Sequence, residues 1–471
     1  MNRGDEPREA CGVFGVNAPG RDVSRLTFFA LHALQHRGQE SAGIAVSDGE
    51  RVTVQRDLGL VGDVFDEPAL RSLTGDAALG HVRYSTTGGN HWDNAQPVAQ
   101  MSEHGIVALG HNGNLTNTDE LRHRLVEAGA EVRASSDSEL IAALLARSGG
   151  SLLDAACQAM PQLVGAYSVV AVSETELVAF RDPHGVRPLA LGRFPEGGWC
   201  VASETCALDQ VGAVIEREVR PGEVVRLCAT GTESRQAMPP AGAKPCVFEH
   251  IYFARPDSEL DGQTVWQSRH AMGVELAGEH PIAADLVVGL PDSGTPAAIG
   301  YARGSGIPFA EAVVRNRYVG RSFIQPDQEL RQQGVLLKFN PLPSIIGGQR
   351  LVVVDDSIVR GTTTRKTVAM LRDAGAAEIH MRVSSPPILW PCFYGIDMAE
   401  RSELVAAGRT PQEIAELIGA DTLEYLSLPG LQRALGRPGD AFCRACLTGD
   451  YPIPLPAAAG KRRFEVQPTP A

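Results

Sequence analysis

The chain reads as two domains of different construction, an α+β domain followed by an α/β domain with a parallel sheet, and three observations predict this. The length of 471 residues suits two or three domains, each large enough for its own core. In the first half, short alternating apolar segments are punctuated by Gly, Asn and Asp, the pattern of antiparallel sheets with helices between them. In the second half the strands become wholly apolar and alternate with helical stretches, which implies parallel strands covered on both faces.

The elements follow in order. GVFGV (12–16), AGIAVS (42–47), RVTVQR (51–56), IVALG (106–110) and YSVVAVS (167–173) are strand segments. SDSELIAALLA (136–146) is a helix opened by Ser136 as cap with Glu139 three residues on. Residues 231–245, GTESRQAMPPAGAKP, are rich in Pro, Gly and small side chains and read as the linker or its edge. Beyond them, ADLVVGLPDSG (284–294) and the segment 351–375 are strand–loop–helix units, the second with helical spacing at Val368 and Leu371 and a stop at Gly375. RTPQEIAELIGA (409–420) carries a capping box at Thr410 and Glu413, with Pro411 at the first helical position. The stretch from Tyr451 to the end reads as a mobile tail, and no internal repeat is present. The expected division is 1–10 as a separate leader, 11–240, 241–455, and a tail at 456–471.

Hydrophobic content of 43% and charged content of 21% are ordinary for a globular protein. A net charge of −13 speaks against a nucleic-acid partner. Against that background the basic groups Arg315, Arg317, Arg321, Arg331 and Lys338, and Arg360, Arg365 and Lys366, mark places for a polyanionic ligand. No run approaches the ~18 apolar residues of a membrane span, and MNRGDEPREA lacks the apolar core of a signal peptide. A cytoplasmic location with no membrane partner is expected. The nine cysteines are then better read as thiols or metal ligands than as disulfides.

LVVVDDSIVRGTTT (351–364) carries the densest chemistry. An apolar strand ends in Asp355 and Asp356, and a turn with Ser357, Gly361 and three threonines leads into a helix. A helix start offers unpaired amides and a positive dipole end to a phosphate, while adjacent carboxylates can accept from a ribose diol. Neither GxGxxG nor GxxxxGK[ST] is present, so this is another kind of phosphate loop. It resembles the phosphoribosyl pyrophosphate (PRPP) loop of type I phosphoribosyltransferases, and SIVRGTT resembles the glutamine PRPP amidotransferases in particular.

The first half agrees. Cys11 precedes the first strand, and with QHRGQESAG (35–43), GHVRYSTTG (80–88), NAQP (94–97), GHNGNLTN (110–117) and SSDSEL (135–140) it resembles the glutaminase domain of N-terminal nucleophile (Ntn) amidotransferases through most of the first 240 residues. An Ntn-hydrolase αββα sandwich is implied there, and a type I phosphoribosyltransferase fold after it. A thiol of pKa ~8.5 needs a base, and an α-amine of pKa ~7.7–8.0 on Cys11 itself could serve where an amide nitrogen could not. The resemblance therefore implies that residues 1–10 are a propeptide removed before Cys11. It also implies Arg83 for the glutamine α-carboxylate, Asp137 for the α-ammonium, and Asn112 with Gly113 as the oxyanion hole. Singly, each has a plain structural alternative: a surface Arg, a capping Asp, a turn Asn-Gly. His184 in RDPHGVRPL (181–189) reads as structural or interfacial.

In the second half the resemblance implies that Asp355 and Asp356 meet the ribose and a magnesium ion, and that Ser357, Ile358, Val359, Arg360, Gly361, Thr362 and Thr363 bind PRPP. Ser293 in PDSG (291–294) would be a further magnesium-side ligand, magnesium favouring oxygen donors and phosphates. Residues 315–342 resemble a catalytic flap, with Arg317 and Lys338 on the leaving pyrophosphate; an apolar Leu336 departs from the family pattern. Cys246, Cys392, Cys443 and Cys446 match the cysteines of the [4Fe–4S] subgroup, although one CxxC with two distant cysteines fits zinc equally well on spacing alone. Cys157, Cys200, Cys206 and Cys228 read as buried thiols. The implied reaction is transfer of ammonia from glutamine to C1 of PRPP, the first step of purine synthesis, by a homotetramer with purine-nucleotide feedback. Two rivals are a sugar-phosphate aminating Ntn enzyme, which DDSIVRGTTT disfavours, and a non-catalytic PRPP-sensing regulator, which would dispense with Cys11, Arg83, Asn112 and Asp137.

Overall fold

The computed structural model describes residues 11–84, 91–103, 105–132, 136–316, 339–396, 398 and 400–455. The expectations for the leader 1–10, for Arg317 and Lys338, and for the tail 456–471 fall outside these residues. The chain forms two compact units. The first runs to Cys246 and takes in two later segments, 392–396 and 451–455; the second spans Val247–Pro391 and Met398–Asp450.

In the first unit two antiparallel sheets are built from thirteen strands. One is seven-stranded, combining β1 (Gly12–Asn17), β2 (Ser41–Ser47), β3 (Val52–Leu58), β4 (Ala77–Arg83), β9 (Ala190–Arg193), β10 (Trp199–Ala202) and β11 (Val214–Glu218), with β1 between β4 and β10. The other is six-stranded, with β5 (Val98–Ser102), β6 (Gly105–Leu115), β7 (Gly165–Val172), β8 (Leu177–Arg181), β12 (Glu223–Cys228) and β13 (Gly231–Gln236). The two-residue period decides the layering. Val13 of β1 faces the second sheet with Val170 and Val172 of β7, whereas Phe14 and Val16 face outward onto the helix Val23–Ala33. On β7, Tyr167, Val169 and Ala171 face the helices Asp137–Arg147 and Leu152–Ala159. The result is the four-layer αββα sandwich that the resemblance implied. Each fully buried Val or Leu contributes about 1.5–3 kcal/mol, so the three stacked cores hold the strand ends firmly.

In the second unit β16 (Leu286–Gly289), β19 (Arg350–Asp355), β20 (Glu378–Val383) and β21 (Thr422–Tyr425) form a parallel sheet in that order. Its apolar strands are covered on both faces: Leu351 and Val353 pack with Val368, Leu371, Ile414 and Ile418 from the helices Thr362–Asp373 and Pro411–Ile418, and Val352 and Val354 are fully buried as well. Short pairs β14–β15 (Glu259–Leu260, Gln263–Thr264) and β17–β18 (Val313–Arg315, Phe339–Pro341) complete the strands described. No helix among the described residues is long and apolar enough to cross a membrane.

Several local expectations need adjustment. The Thr410 capping box forms, but Ser136 caps its helix by position only: its hydroxyl makes no cap bond, and Glu139 is buried. Within 231–245, the first six residues are the edge strand β13, because they complete the ladder of β12 from Glu223–Gln236 to Cys228–Gly231. The start of the presumed tail is fastened: the Tyr394 hydroxyl donates to the Ile453 carbonyl at 2.6 Å. Cys200 and Cys206 are buried thiols as expected, whereas Cys157 and Cys228 are only half-buried.

The helices Val265–Glu279 and Thr295–Ser305 approach through glycine. A Cβ on Gly273 would stand 1.9 Å from the Ala297 carbonyl oxygen, and one on Gly300 would stand 2.0 Å from that of His270. Gly273→Ala should therefore destabilise the second unit by about 1–3 kcal/mol, read as a lower urea midpoint with an unchanged slope; an unchanged midpoint would refute the close packing.

Candidate functional sites

The first site lies where β1, β4 and β6 end. Cys11 sits one residue before β1; its carbonyl accepts from the buried Arg37 Nε at 3.2 Å, and Arg37 is itself paired with the buried Glu204. The amide of Val13 donates to Ser203 Oγ at 3.0 Å. These bonds fix the thiol, whose Sγ lies 3.4 Å from the Tyr84 carbonyl. The β1–β4 register sets Gly12 against Val82, so Arg83 arrives at the same sheet end. Arg83 is buried, with Nη1 3.6 Å from Glu40 Oε2.

Burial pushes the Cys11 thiol up, Glu40 and Asp137 push the same way, and Arg83 pulls it down, with the upward causes prevailing. Asp137 opens its helix, and its Oδ2 accepts from the Leu115 amide at 3.0 Å while Oδ1 lies 3.6 Å from His111 Nδ1. Burial alone would raise this carboxyl; His111 and the amides of Leu115 and Ser138 outweigh it and hold the group below the usual carboxylate range. Asn112 and Gly113 follow on β6, opposite Ser168 and Tyr167. Asn112 is fully buried, yet neither its Oδ1 nor its Nδ2 finds a hydrogen-bond partner among the described residues. Gly113 has φ +145°, and a Cβ there would stand 2.0 Å from the Ala166 carbonyl oxygen, so only glycine fits.

Cys11, Arg83 and Asp137 are thus electrostatic neighbours, and the Asn112–Gly113 pair lies on the strand whose end meets Asp137. Sequence reasoning passed over several supports. Gln96 accepts from the His111 amide at 2.8 Å and donates to Ser138 Oγ at 2.9 Å, buttressing β6 against the Asp137 helix. Gln96, Glu40 and Arg37 stood inside quoted motifs without a role. Glu204 carries no local signal at all. His184 donates from Nδ1 to the Gly242 carbonyl, 3.2 Å away.

The second site lies at the carboxyl end of the parallel sheet. β19 ends at Asp355, whose Oδ1 accepts from the Asp356 amide at 2.9 Å. Asp356 is buried, and its carboxylate accepts from Ser293 Oγ and Ser357 Oγ, both at 2.5 Å. Ser293 comes from the loop after β16, which closes up because a Cβ on Gly294 would stand only 2.7 Å from the Val354 carbonyl oxygen. Ile358 and Val359 are buried, and the Val359 carbonyl accepts from the Val405 amide at 2.8 Å, so apolar anchors hold the loop. Gly361, at φ +80°, turns the chain into the helix from Thr362 and itself makes no side-chain cap bond. Arg360 pairs with Glu403 at 3.0 Å, and Arg315 with Asp292.

Among the described residues no group of three or more His, Cys, Asp or Glu side chains is gathered as a preformed metal site. The oxygen set of Asp355, Asp356 and Ser293 still fits magnesium, which keeps several waters and takes one or two carboxylates plus substrate phosphates. The nine cysteines are not in disulfides. Cys443 and Cys446 are buried, and their carbonyls accept from the amides of Val247 and of Leu389 and Trp390, at 3.1 Å and 3.0 Å.

Comparison with known proteins agrees with both halves. Residues 81–210 match the glutamine amidotransferase domain family, and 274–385 match the phosphoribosyl transferase domain family. An amidophosphoribosyltransferase of Mycobacterium bovis is 52% identical over 98% of this chain and 90% of its own length. One of Bacillus subtilis is 46% identical over 95% of each. The structure of glutamine PRPP amidotransferase from B. subtilis, complexed with ADP and GMP, superposes with a TM-score of 0.90 at 44% identity, covering 97% of this chain and 100% of that one. With such identity spanning both units, and both sites standing at the strand ends described, the chain belongs to the amidophosphoribosyltransferase family.

Proposed function

We propose that this chain hydrolyses glutamine at Cys11 and transfers the ammonia to C1 of PRPP, giving glutamate, 5-phosphoribosylamine and pyrophosphate. The observation that carries this reading is the buried Asn112 amide beside Gly113, which finds no partner among the described residues and would serve as a donor to an oxyanion.

The thiol is raised by burial and carboxylates, so it needs a local base. Burial pulls His81, the β4 partner of Val13, down to about 3, and its Nε2 lies 3.1 Å from the His111 carbonyl, so it is a poor candidate. Removal of residues 1–10 would leave the α-amine of Cys11 to take the proton. The thiolate attacks the side-chain carbonyl carbon of glutamine, whose α-carboxylate and α-ammonium are held by Arg83 and Asp137. The tetrahedral oxyanion is met by Asn112 Nδ2 and the Gly113 N–H. Ammonia leaves with the proton, and water then hydrolyses the thioester to glutamate. In the second unit, Asp355 and Asp356 accept from the ribose hydroxyls, and the amides and hydroxyls of 357–363 bind the phosphate. Ammonia adds to C1 as the C1–O bond to pyrophosphate breaks. Magnesium, held by Asp355, Asp356 and Ser293, would neutralise the phosphate charge. Arg317 and Lys338 are assigned to the pyrophosphate by motif alone.

Cys246, Cys392, Cys443 and Cys446 are proposed to hold a [4Fe–4S] cluster in a structural role. We place the enzyme in the cytoplasm as a homotetramer restrained by purine nucleotides; the ADP and GMP bound to the B. subtilis neighbour support the last point. A domain boundary near 240 and a leader of ten residues belong to the same proposal.

Four outcomes are expected. Purified anaerobically, the protein should release glutamate from glutamine, faster with PRPP and magnesium and matched by pyrophosphate. Cys11→Ser should abolish this while ammonia-dependent synthesis survives; loss of both activities would sink the two-site assignment. Asp355→Asn and Asp356→Asn should lower ammonia-dependent synthesis at least tenfold, about 1.4 kcal/mol in the barrier, and leave basal glutamate release intact; unaffected synthesis would reject the carboxylate roles. Iron and acid-labile sulfide should each approach four per chain, ~4 by the cluster's formula, and fall in Cys443→Ser; stoichiometric zinc instead would replace the cluster.

A further inference from the structure

The segment 392–396 belongs to the first compact unit and lies against the end of β6. Gly395 has φ +98°, and a Cβ there would stand 2.9 Å from both Cα and the carbonyl carbon of Gly113. From β7, the Ala166 carbonyl leaves Gly113 equally little room, 2.0 Å to a Cβ. The Gly113 backbone is therefore bounded by two other backbones. Neighbouring bonds fasten the segment: Asn114 Nδ2 donates to the Phe393 carbonyl at 3.0 Å, and the Tyr394 hydroxyl donates to the Ile453 carbonyl at 2.6 Å and accepts from its amide at 3.1 Å. Thr116 Oγ1 donates to the Pro454 carbonyl at 3.4 Å, and the Tyr451 ring meets those of Phe393 and Tyr394 edge-on at 5.4 Å and 5.9 Å.

We propose that Gly395 and Tyr394 are positioning residues for glutamine hydrolysis: the 392–396 segment, fastened by 451–454, fixes the Gly113 amide and the Asn112 side chain where the tetrahedral oxyanion forms. The inference rests on the oxyanion-hole assignment above. A donor aimed at the oxyanion acts on kcat, since the ground-state carbonyl lies elsewhere. Gly395→Ala pushes directly on Gly113, whereas Tyr394→Phe only unfastens the segment and keeps the ring.

The test measures glutamine-dependent and ammonia-dependent synthesis in the full-length protein, with Asn112→Ala as reference. Asn112→Ala should cost roughly 10²–10³ in kcat for glutamine. Gly395→Ala should cost roughly tenfold to a hundredfold and Tyr394→Phe about threefold or more, with KM for glutamine within about twofold and ammonia-dependent synthesis retained. In the Asn112→Ala background, Tyr394→Phe should add little, because both act through one hole. Should Gly395→Ala not fold, Tyr394→Phe decides. Normal kcat in Tyr394→Phe, a parallel fall in ammonia-dependent synthesis, or fully multiplicative effects in the double variant would each overturn the positioning role. Unchanged kcat in Asn112→Ala would overturn the oxyanion-hole assignment and this role with it.

Discussion

As the proposed nucleophile, Cys11 must lose its proton in a place where charge is unwelcome, and that constraint bears on everything around it. Burial disfavours the thiolate, and the carboxylates of Glu40 and Asp137 disfavour it further, with Arg83 as the opposing charge. His81 is kept neutral by burial. With His81 unsuited, the proposed reading makes the base local to Cys11 itself, where an α-amine on that residue would supply one at no cost in positioning. The same constraint explains why the Cys11 backbone is so well held. Arg37, paired with Glu204, takes its carbonyl, and Ser203 takes the amide of Val13. Were Cys11 to become a chain end, as proposed, it would otherwise fray like any terminus.

The second site solves an opposite problem. On the proposed reading its two adjacent carboxylates must be held in place to receive a polyanion. Asp356 is buried but accepts from two serine hydroxyls, and Asp355 accepts from the next amide along the chain. Both carboxylates are thus satisfied by short, exchangeable partners. The loop itself depends on apolar anchors, Ile358 and Val359, and on Gly361 to turn into the helix. Its shape is then set by packing within the second unit, and Gly361 brings no capping side chain to the helix start.

Much of this was legible in the residues. The two-residue alternation of GVFGV assigns Val13 to one face and Phe14 and Val16 to the other, and the wholly apolar LVVV marks a parallel strand buried on both sides. Asp355, Asp356, Gly361 and Ser293 were readable because strand, turn and helix signals are local. What was illegible depends on distance in sequence. Glu204 pairs with Arg37 across 167 positions and sits in an unremarked SETCA stretch. Gln96 acts through His111 and Ser138, so its role appears only once two strands and a helix are brought together. The 451–455 stretch has the composition of a tail, yet Tyr394 fastens it. The Ser136 cap fails for a tertiary reason: the helix start is buried, and Asp137 rather than the serine takes a backbone amide from β6.

The glutaminase site also carries a concentration of unsatisfied groups. Asn112 Oδ1 and Nδ2, His81 Nδ1, His111 Nε2 and Ser136 Oγ are all buried without a hydrogen-bond partner among the described residues. Each such group costs about 1–3 kcal/mol of stability, so they are tolerable only because the three cores of the sandwich are large. A protein selected for stability alone would fill or pair them. Their clustering on β6 and its neighbours, beside a raised thiol and an aspartate held as a carboxylate, is the pattern of a site whose partners arrive with the substrate. The Asn112 amide is the sharpest case: it is fully buried and finds no hydrogen-bond partner among the described residues, which is the state expected of a donor that meets a negatively charged oxygen only when substrate reacts.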